Sequence, residues 1–278
     1  MSELNHPLAL SGDAGIATVY DQGAHVASWT PFGHDPVLFV SRRSGFQVGT
    51  SIRGGIPVCF PWFGPGRSGD RKPAHGFARI VDWARVSTEQ DAAVFELTDE
   101  TLSQEHRESF PHAFRARLSV RAGASLEVVL SVENTGEEAF EIEEALHTYL
   151  AVGDVREVEV RGLEDADFID KTQDNALVPA AGRSLRLTGE TDRVYLSGGP
   201  VTVEDPVLGR RLRITMRGAA DTVVWNPWSE KAAAMSDFGD EEWPAMLCLE
   251  GANALEHAVR VAPGEVHELG YRIDVETD

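Results

Sequence analysis

Between Ser125 and Thr135 the chain reads SLEVVLSVENT, and Leu126, Val128, Leu130 and Val132 all fall on one side of an extended backbone. Side chains alternate faces along a strand, so this spacing makes one apolar and one polar face, and no helix would gather those four residues. The period of two recurs over residues 140–151 (Phe140, Ile142, Leu146, Leu150), over 211–217 (Leu212, Ile214, Met216) and in the shorter runs 15–20, 25–29 and 93–98. Turn formers such as Gly123, Gly136, Gly153, Gly162 and Gly209 separate these runs. That rhythm predicts an all-β chain: one large antiparallel β-sandwich domain spanning residues 1–278. Helical pattern is confined to residues 229–238, with Ser229 as N-cap behind Pro227, and a short turn over 101–110.

Composition narrows the function. The 278 residues carry a formal net charge of −20, which argues against nucleic acid and anionic membrane surfaces as partners. No run approaches the ~18 apolar residues that span a bilayer, and the N-terminus lacks a signal-peptide pattern. Two cysteines, Cys59 and Cys248, stand far apart without zinc-type spacing. They read as buried, reduced thiols in a cytoplasmic, monomeric protein without a metal.

Against that acidity, residues 51–90 hold six basic side chains (Arg53, Arg67, Arg71, Lys72, Arg79, Arg85) and three acidic ones. The segment is rich in Gly, Pro and aromatics, and ends in His75-Gly-Phe-Ala-Arg79. Arginine forks suit phosphate or carboxylate, and glycines let a ligand approach, so an anion site is expected here.

Three further features carry chemistry. His147 lies in a strand pattern whose face it shares with Glu143, Ala145 and Tyr149; it is either a satisfied structural histidine or part of a polar cleft. The remaining histidines (His6, His25, His34, His106, His112, His257, His267) are assigned no role. Residues 244–254 are apolar on both faces, which reads as a buried strand ending at Glu250-Gly251. A carboxylate there is either a buried ion pair or a general base tuned by burial. Trp225, Asn226, Trp228 and Asp237 have the aromatic-plus-polar make-up of a sugar site.

Taken in order, Arg53-GGIPVCFPWFGP, His75-GFAR, Ala145-Leu-His147, Asp192-Arg-Val-Tyr195, Val224-Trp-Asn-Pro-Trp228 and Cys248-Leu-Glu250 resemble the hexose-6-phosphate mutarotases. These form the glucose-6-phosphate 1-epimerase branch of the aldose 1-epimerase superfamily. The resemblance runs from about Gly23 to Gly264 and implies a large β-sandwich that interconverts α and β sugar anomers. It implies Glu250 as base, His147 as acid and His75 as a hydrogen-bond donor to the sugar. Asp192 would bind sugar hydroxyls, and Arg53 and Arg79 the 6-phosphate. No cofactor is implied, because ring opening to a neutral aldehyde needs only two proton transfers. Other readings are a sugar-phosphate binding module without catalysis, a glycoside hydrolase using Asp192 and Glu250, and a mutarotase for neutral aldoses.

Overall fold

The computed structural model describes residues 3–4 and 7–277, so His6 lies outside the described residues. Every strand pairing named in them is antiparallel. Two large sheets face each other. The first, here the long sheet, runs in the order Glu159–Arg161, Val201–Asp205, Arg210–Arg217, Val266–Thr277, Ser125–Asn134, Phe114–Ala122, Ala92–Thr98, Ala84–Thr88. Apart from the exposed edge strand Ala84–Thr88, its strands largely alternate buried and less buried positions, as the period of two predicts; Ser125–Asn134 buries Leu126, Val128, Leu130 and Val132.

The second, the site sheet, runs Ala176–Val178, Phe168–Asp170, Thr191–Tyr195, Asp221–Asn226, Met246–Asn253, Glu144–Leu146, Val58–Cys59, with Tyr149–Ala151 also on Met246–Asn253. Its two central strands, Asp221–Asn226 and Met246–Asn253, are buried on both faces. One face packs on the long sheet: the Tyr271 hydroxyl donates to the Leu249 carbonyl at 2.6 Å. A side chain at Gly251 would press on Met216 and Tyr271. The other face carries the polar residues described below. A three-stranded sheet, Leu8–Ser11, Gly15–Tyr20 and His25–Pro31, flanks this sandwich.

Several local expectations need correction. The apolar series over 140–151 is not one strand: Phe140–Ile142 pairs with Val259–Val261 in a separate ribbon, while Glu144–Leu146 and Tyr149–Ala151 join the site sheet. The strand bearing Glu250 does not end at Gly251 but continues to Asn253; the glycine is there because Tyr271 and Met216 pass close beneath it. The helix near 229 spans Trp228–Ala234, so Ser229 lies inside it; the Asn226 side chain accepts from the Trp228 N–H at its start instead. In the other helical segment Gln104–Ser109 forms, capped by Ser103. Cys59 and Cys248 are free and buried. Among the described residues no helix is long and apolar enough to cross a membrane.

Candidate active site

Strand registers lay out the outer face of the site sheet. Asp192 pairs with Trp225, Trp225 with Cys248, and Cys248 with Tyr149, forming one row across four strands. The next row on the same face is Val194, Val223 and Glu250. Leu146 pairs with Gly251 and Tyr149 with Cys248, a constant register that sets His147 opposite Glu250. A third row holds Asp221, Ala252, Ala145 and Cys59. Alternation thus brings His147, Glu250 and Asp192 to one surface although they are separated by 103 residues in the chain.

The His147 Nε2 and Glu250 Oε1 atoms lie 3.4 Å apart, with the carboxylate side chain 1% exposed. No hydrogen bond joins them, and Glu250 Oε2 and His147 Nδ1 meet no hydrogen-bonding neighbour. Burial pushes Glu250 well above the usual carboxylate range. Burial, then the charges of Arg79 and Arg53, push His147 well below the usual imidazole range. Both groups therefore favour their neutral forms, which explains the absence of a tight ion pair. The His147 ring stacks on Tyr149 at 4.9 Å, and Trp225 stands edge-on to both. The two side chains thus stand side by side on one surface.

The basic loop reaches this surface from the side of Val58–Cys59. The His147 N–H donates to the Pro57 carbonyl and the Tyr149 N–H to the Gly55 carbonyl, so the segment after Arg53 runs along the strand edge. Gly55 has φ +62°, and a side chain there would collide with the Val26 carbonyl. Only glycine allows that approach, which turns Arg53 inward. The Arg53 guanidinium donates to the Tyr149 hydroxyl at 3.0 Å and is already paired with Asp237 at 3.0 Å. Arg79 donates to the Ala74 carbonyl at 2.7 Å, while its buried Nε has no partner.

His75 follows the same loop, its ring 5.6 Å from that of His147. Its Nδ1 accepts from the Gly64 N–H at 3.3 Å and lies 3.4 Å from the Cys59 thiol. Burial, followed by the charge of Arg79, pushes its proton affinity well below the usual imidazole range. A neutral ring accepting at Nδ1 carries its proton on Nε2, making His75 a donor.

Other residues of the loop do not face the site. Arg67 pairs with Glu141 and Glu256, Arg71 binds the Ser109 carbonyl, and Arg85 pairs with Asp21. Of the aromatic-polar cluster, Trp225 lies on the site face and Asp237 holds Arg53. Asn226 is instead a buried brace, donating to the Trp243 and Met246 carbonyls, and Trp228 packs on Trp243. Glu143 accepts from the Leu255 N–H. Three histidines assigned no role are buried or paired: His25 is enclosed and pushed down to about 3 by burial, while His257 pairs with Asp221 and His267 with Glu144.

Sequence reasoning missed Lys171. Its ammonium stands 3.8 Å from Asp192 and 4.9 Å over the Phe63 ring, whose edge meets His75. The one available signal was rarity, because the chain has only three lysines.

The donor atoms of His147, Cys248 and Glu250 lie within 4.8 Å of one another, a spacing that a divalent ion could bridge. The set fits a metal poorly: nothing orients His147 through Nδ1, and burial pushes the Cys248 thiol well above its ordinary value.

A β-sandwich presenting a buried carboxylate beside a neutral imidazole, with arginines at one side, has the construction of an acid–base enzyme acting on a polar anionic substrate. Comparison with known proteins gives the family: the aldose 1-epimerase profile matches residues 8–274, and the chain belongs to that family. It is 40% identical over 237 residues to a protein of Escherichia coli K12 named "Putative glucose-6-phosphate 1-epimerase", covering 84% of this chain and 79% of that one. A plant protein of the same name, from Cenchrus ciliaris, is 35% identical over 260 residues, covering 90% and 78%. The crystal structure of a "putative mutarotase (YeaD)" from Salmonella typhimurium superposes with a TM-score of 0.90 at 29% identity, covering 100% of this chain and 92% of that one.

Proposed function

We propose that this protein interconverts the α and β anomers of hexose 6-phosphates by acid–base ring opening, with Glu250 as base and His147 as acid. The observation that carries this reading is the order of groups across the site sheet: Asp192, then Glu250, then His147, then Arg53 beyond Tyr149. A hexose 6-phosphate has its groups in the same order. Ring hydroxyls lie at one edge, followed by the C1 hydroxyl, the ring oxygen and the phosphate-bearing C6.

The C1 hydroxyl and the ring oxygen are bonded to one carbon, so neighbouring acid and base suit them. Glu250 as carboxylate takes the C1 hydroxyl proton while protonated His147 delivers one to the ring oxygen, and the C1–O5 bond breaks. Both protein groups are then neutral beside the open-chain aldehyde, the state that burial favours. Rotation about C1–C2 and the reverse transfers close the ring as the other anomer. His75, through Nε2–H, donates to the ring oxygen or a hydroxyl. Arg79, with its free Nε, and Arg53, on release from Asp237, hold the phosphate. The names carried by the relatives support this substrate class.

The test is exchange NMR of glucose 6-phosphate and of glucose with the purified protein. Acceleration of both, with at least tenfold preference for the phosphate that Arg79→Ala removes, is expected. Binding without faster exchange would make the protein a sugar-phosphate binding module, and equal loss on both sugars in Arg79→Ala would remove the phosphate assignment.

A further inference from the structure

Lys171 extends the row that contains Asp192. Ile169 pairs with Val194 and Asp170 with Arg193, and continuing that register puts Lys171 opposite Asp192. Lys171 and Arg53 therefore stand at opposite ends of one row, with Asp192, Trp225, Cys248 and Tyr149 between them. Neighbouring strands are about 4.8 Å apart, so the two cations cannot both reach one phosphate held beside Arg53.

The position of Lys171 is braced. It opens the turn Lys171–Gln173, which the Asp170 carboxylate ties down by accepting from the Thr172 N–H, the Thr172 hydroxyl, the Gln173 amide and Arg193. The ammonium forms no hydrogen bond. At 3.8 Å from Asp192 it is close enough to be held and too far to use its donors, and the Phe63 ring lies beneath it. Asp192 likewise has no hydrogen-bond donor on its carboxylate. A donor and an acceptor left open side by side match two neighbouring hydroxyls.

We propose that Lys171 is a specificity residue of this site, clamping the C2 and C3 hydroxyls of the sugar together with Asp192. The inference rests on the hexose 6-phosphate reading and on the ring geometry: C2 lies across the pyranose from C5, which bears the phosphate arm. With the phosphate at the arginines, the edge at Lys171 is the C2–C3 edge. Lys171 is also the cation that most favours ionised Glu250, in line with its nearness to the base.

The experiment is calorimetric binding of 1,5-anhydroglucitol 6-phosphate, which cannot open, and of its analogues lacking the C2 or the C3 hydroxyl. K171M and K171Q should weaken the parent compound about tenfold, and at least one analogue by no more than about twofold, with unchanged unfolding temperature; K171R should recover most of the loss. Equal weakening of all three ligands would overturn the clamp. So would a loss that vanishes on 1,5-anhydroglucitol itself, which would assign Lys171 to the phosphate. Wild-type exchange of glucose 6-phosphate is measured alongside: binding without exchange overturns the catalytic reading and leaves the clamp supported, whereas a wild type that binds none of the ligands overturns both.

Discussion

Three histidine–carboxylate pairs lie on or beside the site sheet, and they differ in how completely they are bonded. Asp221, at the end of the third row, accepts from His257 at 2.6 Å through one oxygen and from the Ala254 N–H at 3.1 Å through the other. Glu144 accepts from His267 at 2.6 Å and from Asn253 at 2.9 Å. His147 and Glu250, the carboxylate as buried as the other two and the histidine more so, are 3.4 Å apart and share no hydrogen bond. The first pair ties the loop after Asn253 to the site sheet, and the second ties the start of the strand Val266–Thr277 to it. In the third, two buried polar atoms lack partners, which costs about 1–3 kcal/mol per group unless a ligand supplies them. Glu144 also keeps one buried oxygen without a partner, so a single open atom is not the mark; residue type alone does not separate structure from function here, and the missing hydrogen bond between histidine and carboxylate does.

The largest effect that would break this distinction is on activity. His147→Ala should slow anomer exchange about 10²–10⁴-fold with little loss of thermal stability, because the imidazole bonds little in the folded state. His257→Ala and His267→Ala should leave most of the activity. Comparable losses from all three, measured by exchange NMR, would erase the difference.

The pH profile sharpens it. In the proposed mechanism, catalysis needs one proton on the His147–Glu250 pair. Acid adds a second only below the depressed imidazole value, so the acid limb of kcat/KM should lie below 6.5, the ordinary histidine value. Alkali removes the first only above the raised carboxylate value, so the alkaline limb should lie well above 4.5. An acid limb at 6.5 or higher would mean that burial does not hold the histidine neutral.

The bonded pairs should report in stability. Asp221→Asn removes a fully satisfied carboxylate and should cost about 1–3 kcal/mol in denaturant unfolding, with activity retained in the folded fraction. Smaller again is the pH slope of His267. Its hydrogen bond to Glu144 raises its proton affinity in the fold. The stability it contributes is therefore complete below the unfolded value of 6.5 and is lost as pH rises through the folded one. His267→Gln should flatten that part of the profile, by about 1 kcal/mol.

Much of this was legible in the sequence. Period-two alternation foretold three strands of the long sheet, those around 93–98, 125–134 and 211–217, because each has one dry and one wetter face. It was less reliable on the site sheet, where strands are dry on both sides and Gly251 reads as an end when it is a gap for Tyr271. The motifs containing Arg53, His75, His147, Asp192 and Glu250 meet at one face of the site sheet. What sequence could not give was which arginines of the loop turn inward, since Arg67, Arg71 and Arg85 match Arg53 and Arg79 in type and find partners elsewhere. Nor could it give Lys171, whose place depends on the register of a three-residue strand and a turn held by Asp170. The bonded pairs were hidden for the same reason: Asp221 and His257 are joined by tertiary contact alone.

The most direct test is Glu250→Gln, followed by exchange NMR on glucose 6-phosphate and by thermal unfolding at pH 8. A buried carboxylate with a raised proton affinity contributes stability that is present below the unfolded value of 4.5 and lost as pH rises. The amide carries no such loss. The account predicts anomer exchange reduced at least 10³-fold together with a melting temperature higher by about 2–4 °C, corresponding to about 1 kcal/mol. A variant that exchanges anomers like the wild type, or that loses activity because it melts at lower temperature, would contradict the assignment of Glu250 as the unbonded base of this site.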